Sequence, residues 1–230
     1  SMPAQDEHAV RALLRRHGVP IAAGRLEPLS HAGWGGENDA WLADERWIFR
    51  FPRTAEAAAS LAREVCFLPR LAARSPLPVP RFAHVARDDR GDPVFVGYEA
   101  IPGRPLRGGD VRAASPEQSG RMAEQLGRFL AALHAMPLDE ALVCGIAPPP
   151  DDVPAHTERS FEAIRATVFP ALAADERRWV SRLFETMLGD DRYLRHTPTV
   201  CHGDLSSDHI LHDPTTMTLT GVIDFGDLCI

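Results

Sequence analysis

Two short segments near the end of the chain bring carboxylates, imidazoles and glycines together at spacings that suggest chemistry. The first is Cys201-His202-Gly203-Asp204-Leu205-Ser206-Ser207-Asp208-His209-Ile210-Leu211, in which a carboxylate in an expected turn is followed five residues on by a possible metal ligand, His209. The second is Gly221-Val222-Ile223-Asp224-Phe225-Gly226-Asp227, where another carboxylate ends an apolar strand. Phosphoryl transfer needs such a pair: one group to orient the acceptor hydroxyl and take its proton, another to hold a divalent cation against the phosphates. Either aspartate alone could be a turn cap. Two of them in this order and separation are hard to explain that way. A zinc site from Cys201, His202, His209 and His212 is the other chemical possibility, but it lacks a recognisable ligand spacing and leaves both aspartates unused.

Composition narrows the chemistry further. All 25 residues in the Lys-plus-Arg total are arginine, and the single asparagine is Asn38. A mechanism that needs a lysine is therefore excluded, and with it a P-loop, which requires Gly-Lys-Ser/Thr. The net charge of −7 weighs against a nucleic-acid partner and toward a cationic ligand. A length of 230 residues allows one large domain or two lobes, and 44% apolar with 25% charged residues is ordinary for a globular chain. No run of about 18 apolar residues is present, so no membrane span is expected. Ser1-Met2-Pro3 followed by Asp6 and Glu7 is unlike a secretory signal, and Ser1 ahead of Met2 reads as a processing remnant. Cys66, Cys144, Cys201 and Cys229 show no framework spacing, and reduced thiols in a cytoplasm are expected.

The elements that must position the two motifs follow from periodicity. Val10, Leu13 and Leu14 share a helical face that ends at Gly18. Residues 26–52 alternate as strands on either side of Asp44-Glu45, and residues 54–73 form a helix with Leu61, Val65, Leu68 and Ala72 on one face. Pro69 predicts a kink or break in that helix. Strands are expected over 81–85 and 94–98, and Pro102, Gly103 and Pro105 end the β-rich part. Ser115 and Pro116 then open a long helix whose stripe is Met122, Leu126, Phe129, Leu130 and Leu133. Residues 147–154 read as a rigid loop, two helices fit 157–168 and 173–188, and short β segments lie near Val200, Ile210 and Val222.

His-Gly-Asp, five residues to a ligand position, then Ile-Asp-Phe-Gly-Asp after a short hairpin, resembles the aminoglycoside phosphotransferases, whose fold is protein-kinase-like. The histidine at 209, where most of that family has asparagine, resembles the 2″-aminoglycoside and macrolide branches. The resemblance implies an α+β fold: an antiparallel β-rich lobe over 1–101, a hinge at 98–103, and a mainly helical lobe over 102–230 that continues in the family beyond the last residue here. It implies Asp204 as catalytic base, and Asp224 with His209 as ligands of Mg²⁺. Arg50 of Trp47-Ile48-Phe49-Arg50-Phe51-Pro52 stands where a kinase has its strand lysine, and its planar fork suits phosphate, with Glu64 as ion-pair partner. The turn holding Gly35 and Gly36 could bring N–H groups to the phosphates, and Tyr98, Glu99 and Ile101 lie in the segment expected to receive the purine.

The expected activity is transfer of the γ-phosphate of ATP or GTP to an aminoglycoside hydroxyl of the 2″ type, conferring antibiotic resistance, by a cytoplasmic monomer that binds neither nucleic acid nor membrane. A macrolide acceptor, a metabolic acceptor such as choline, homoserine or a fructosamine, and a catalytically silent nucleotide-binding module are the alternatives.

Overall fold

The structure, a computed structural model, describes residues 6–20, 24–29, 37–150, 152–195 and 197–230. Helix α1 (Glu7–Arg16) is capped by Asp6, whose side chain accepts the Ala9 N–H at 2.8 Å, and leads to strands β1 (Leu26–Pro28), β2 (Asn38–Ala43) and β3 (Trp47–Pro52). Asp44 and Glu45 both adopt left-handed backbone conformations, which makes the β2–β3 connection a tight hairpin. Helix α2 (Ala55–Ala72) follows, capped by Thr54, and then strands β4 (Phe82–Arg87) and β5 (Pro93–Glu99). The five strands make one antiparallel sheet in the order β1-β2-β3-β5-β4.

Strand alternation decides what each face of this sheet does. On one face Trp41, Ala43, Phe49, Phe51 and Phe95 pack with Val10 and Leu14 of α1 into a core. Phe49 faces Gly97 across the β3–β5 pair, and a Cβ at 97 would lie 2.4 Å from the Phe49 ring, so only glycine leaves room there. The neighbouring residues of the same strands, Ala40, Ile48, Arg50 and Tyr98, point the other way.

Helix α2 buries Ala57, Ser60, Leu61, Glu64, Phe67, Leu68 and Leu71, a stripe at helical spacing with Glu64 at its centre. Of the face expected from the sequence, Leu61 and Leu68 lie in the buried stripe, while Val65 and Ala72 lie beside it. The helix also runs on through Pro69 to Ala72, so the expected break is absent. Pro69 falls within the last turn, where few carbonyls depend on it, and buried Leu68 and Leu71 hold the turn in place.

Beyond β5 come strand β6 (Arg104–Pro105) and helices α3 (Gly108–Ala113), α4 (Pro116–His134) and α5 (Leu138–Val143). As the sequence predicted, Ser115 caps α4 with Pro116 in its first turn, and Gln118 closes a capping box. Strands β7 (Ile210–Asp213) and β8 (Thr218–Val222), which appear later in the chain, join β6 in a second sheet of order β6-β7-β8. Gln125 of α4 clamps β8 by accepting the Leu219 N–H at 2.9 Å and donating to the Leu219 carbonyl at 3.3 Å. The chain divides into two compact units, and all of these elements belong to the first, residues 1–146 with 200–229. The second unit, residues 147–199 with residue 230, contains α6 (Val153–Thr167), α7 (Ala174–Leu188) and α8 (Asp191–Leu194), with Phe161 stacked on Phe184 at 4.6 Å. No helix among the described residues is long and apolar enough to cross a membrane.

One expectation is corrected by the cysteines. Cys66 of α2 and Cys144, just past α5, form a disulfide with their Cα atoms 5.4 Å apart, although 78 residues separate them in the chain. Tertiary packing of α5 on α2 brings them together, and Arg74 adds a two-pronged contact to Glu140 at 2.8 and 3.0 Å. Cross-links that close loops of this size stabilise by about 2–4 kcal/mol. The double variant Cys66→Ser/Cys144→Ser should therefore unfold at lower denaturant by that amount under non-reducing conditions, and adding a reductant to the unmutated chain should reproduce the loss.

Candidate active site

The site starts from a buried charge. Arg50, on the α2-facing side of β3, is 8% exposed, and its Nη1 donates to Glu64 Oε2 at 2.8 Å; Glu64 is fully buried. Burial raises the Glu64 carboxyl above the usual carboxylate range, against the opposing pull of the Arg50 charge and hydrogen bond, and despite its own burial the Arg50 guanidinium is held above its ordinary value by Glu64. With its other nitrogen, Nη2, Arg50 reaches Asp224 Oδ1 at 3.7 Å. Among the described residues Glu64 Oε1 accepts no hydrogen bond, so within them the carboxylate depends on this one guanidinium.

Asp224 lies just after β8 and adopts φ +64°, a left-handed conformation that costs a non-glycine residue roughly 1–2 kcal/mol. Here the strain turns the chain sharply, so that its carboxylate is half-exposed while the next residue, Phe225, is fully buried against Phe129 and His202. His209 reaches Asp224 Oδ2 from Nε2 at 3.3 Å, and its Nδ1 meets the Asp204 carbonyl at 2.6 Å. The Asp204 carboxylate is largely exposed, 3.8 Å from His209 Nδ1. Gly203 fixes this turn: its φ is +87°, and a Cβ would lie 1.9 Å from the Asp227 carbonyl oxygen. The segment around Asp204 can therefore press against the one that follows Asp224. His202 completes the contact, its Nε2 3.1 Å from the Ile223 carbonyl, and burial holds its imidazole below the usual histidine range.

Arg50, Asp204 and Asp224 line one cavity of about 450 Å³. Leu29, Ala40, Ile48, Tyr98 and Ile223 give it apolar walls, and Arg50, Asp204, Asp224, Asp227, Glu37 and Asn38 give it charged and polar ones. Burial pushes the Tyr98 phenol up to about 12, leaving a neutral hydroxyl. Of the residues the sequence assigned to the nucleotide, Arg50 and Tyr98 line the cavity, and Glu64 stands behind Arg50. Glu99 is exposed, with its carboxylate 2.8 Å from Arg46 Nε, and Ile101 packs over Gly221. The Ala100 N–H already donates to the Arg46 carbonyl at 2.7 Å, so that donor of the expected purine-binding segment is committed. Gly35 and Gly36 lie outside the described residues.

The four residues of the alternative zinc set do not converge. His212 is fully buried with Nδ1 on the Arg104 carbonyl, and among the described residues no three His, Cys, Asp or Glu side chains are grouped to hold a metal by themselves. Two site residues went unrecognised in the sequence. Asn38, noted only for being the single asparagine, lines the cavity. Ser60, one turn before Glu64, hydrogen-bonds to Gly226; its place four residues from an acidic residue on an apolar stripe was the available signal.

A sheet-borne, buried arginine–glutamate pair facing two loop aspartates across one cavity is the arrangement of a kinase-like phosphotransferase, and solved structures agree. The GDP complex of aminoglycoside 2′-phosphotransferase-IIIa superposes with a TM-score of 0.89 at 30% identity, over 98% of this chain and 74% of that one. The GDP and kanamycin complex of APH(2″)-IIIa gives 0.87 at 30% identity, over 96% and 73%. The macrolide 2′-phosphotransferase MphH of Brachybacterium faecium shares the fold, with a TM-score of 0.71 at 23% identity over 96% and 72%. Residues 28–230 match the model of the phosphotransferase enzyme family (APH), and the chain belongs to that family. An aminoglycoside 3′-phosphotransferase of Streptomyces fradiae is 30% identical over 158 residues, 67% of this chain and 54% of that protein, so the chain spans about half the length of this curated relative.

Removing Arg50 strands a buried carboxylate. Arg50→Ala should cost about 3–5 kcal/mol of unfolding free energy and weaken nucleotide binding. The double variant Arg50→Met/Glu64→Leu should recover most of the stability and none of the affinity, as measured by urea unfolding and calorimetric titration.

Proposed function

We propose that the protein transfers the γ-phosphate of ATP or GTP to a hydroxyl of an aminoglycoside, with position 2″ the favoured acceptor. The observation that supports this most directly is the convergence of Arg50, Asp204 and Asp224 on one cavity that also has apolar walls, with His209 bridging the two aspartates from behind. A purine suits the apolar walls formed by Ile48, Tyr98 and Ile223, and its triphosphate would then run toward Arg50. The GDP complexes formed by similar proteins, and the kanamycin bound in one of them, support the nucleotide and the drug class. The segment 98–103 serves as the hinge between a nucleotide-binding lobe over 1–101 and the remainder, with Gly103 at φ +115° providing the turn.

The donor set suits Mg²⁺. With its proton on Nδ1, donating to the Asp204 carbonyl, His209 turns a lone pair on Nε2 toward Asp224 Oδ2 at 3.3 Å. Asp224 and His209 are the side chains that would hold such an ion. Mg²⁺ is ordinarily held by one or two protein ligands together with phosphate oxygens and water. Bound there, the ion would neutralise charge on the β- and γ-phosphates.

Arg50 contributes a permanent positive charge, positioned by Glu64 before substrate arrives. Asp204, exposed on its turn, orients the acceptor hydroxyl and takes its proton as the oxygen attacks the γ-phosphorus. The bond from that phosphorus to the β–γ bridging oxygen breaks, and the nucleoside diphosphate departs with the electron pair.

The test is a panel of aminoglycosides and macrolides offered to the full polypeptide with ATP and with GTP, with the products analysed by mass and NMR. Phosphorylation of kanamycin at the 2″ oxygen is expected. Asp204→Ala should reduce transfer by at least about 100-fold and leave nucleotide affinity near its original value. Unchanged turnover in that variant would remove Asp204 from its role, and nucleotide binding without transfer to any acceptor would mark a silent module.

A further inference from the structure

We propose that Ser60 is a positioning residue that sets the orientation of Asp224 from the side of α2. The proposal rests on the function proposed above, in which Asp224 faces the metal–triphosphate complex. The starting point is a residue choice. Ser60 sits in the stretch Ala55–Ala72, preceded by Ala57-Ala58-Ala59, and is 3% exposed. Alanine would suit a buried helix position better, because serine is a poorer helix former and a buried hydroxyl without a partner is costly. A buried helical serine commonly spends its hydroxyl on the carbonyl one turn back. Ser60 instead donates across 166 residues of chain to the Gly226 carbonyl, at 2.7 Å.

That carbonyl belongs to the three-residue segment that carries Asp224, and each residue of the segment is held by something different. Asp224 leaves β8 in a left-handed conformation and faces Arg50 and His209. Phe225 is fixed in the core by Phe129 and His202. Gly226 is fixed by Ser60. A Cβ built on Gly226 would stand 3.4 Å from Ser60 Oγ and 3.7 Å from Asp224 Oδ1, so the hydroxyl and the carboxylate border the same small space. Ser60 and Glu64 are one helical turn apart on one face of α2. The helix therefore holds this segment twice: through Glu64 and Arg50 at the Asp224 side chain, and through Ser60 at the backbone two residues later. The strained φ of Asp224 gives the second hold its purpose, because a strained residue keeps its conformation only where its surroundings over-determine it.

The experiment compares Ser60→Ala and Ser60→Thr with the unmutated full polypeptide in three measurements. These are thermal midpoint, the Mg²⁺ concentration that half-saturates nucleotide binding in calorimetry without acceptor, and kcat with KM for the acceptor. In Ser60→Ala, kcat should fall about tenfold, the scale of one lost hydrogen bond. Mg²⁺ half-saturation should rise several-fold while the acceptor KM stays put, and Ser60→Thr, which restores the hydroxyl, should recover both. A Ser60→Ala protein whose Mg²⁺ half-saturation and kcat match the original, with or without a lower thermal midpoint, would overturn the proposal. Should the unmutated protein phosphorylate no acceptor at all, the proposed function fails, and the Mg²⁺-dependent binding arm still decides the role of Ser60.

Discussion

The buried bond between Arg50 and Glu64 is the interaction on which the rest of the site depends. Its carboxylate is fully buried and, among the described residues, accepts from one guanidinium only, so neither partner is tolerable without the other. Everything around it can be understood as support. The sheet register puts Phe49 and Phe51 on the core side and so forces Arg50 to the other. The apolar stripe of α2 accepts a charged residue at its centre because the arginine is already there to meet it. The disulfide ties α2 to the segment after α5, and the Arg74–Glu140 contact adds a second link just past the end of α2.

The acidic half of the site is built on backbone geometry. Gly203 and Asp224 both occupy left-handed conformations, and each makes a sharp turn possible where two segments cross. At Gly203 the requirement is absolute, because the Asp227 carbonyl fills the space of a side chain. At Asp224 the conformation is merely unfavourable, and its cost is met by burial of Phe225 and the contacts of its neighbours. Two exposed carboxylates are thus presented from turns whose cores are rigid, which is how a site can be open to substrate and still hold its shape.

Much of this was legible in the sequence, for identifiable reasons. The motifs around Asp204 and Asp224 are local, and their order within the chain carried the α+β, kinase-like assignment that the related structures bear out. The boundaries of α4 followed from Ser115 and Pro116, whose capping is also local. What failed was non-local. The pairing of Cys66 with Cys144 leaves no trace in spacing, and the expected thiols were wrong there. Pro69 predicted a kink or a break because the intrinsic cost of a helical proline is large; no break occurs, and the helix runs on to Ala72 with Leu68 and Leu71 buried. Ser60 looked like one more small residue in an alanine-rich helix. Its meaning comes from a carbonyl 166 positions away.

The absence of lysine from the whole chain gives the cavity an unusual chemical profile. Its cationic group is a guanidinium held well above its ordinary pKa, and so it never presents a nucleophilic nitrogen. Acyl-phosphate nucleotide probes and other electrophiles that mark kinase clefts by acylating a conserved amine would find no amine to modify. Covalent ligands for this cleft would instead have to be designed around its carboxylates or the Tyr98 hydroxyl.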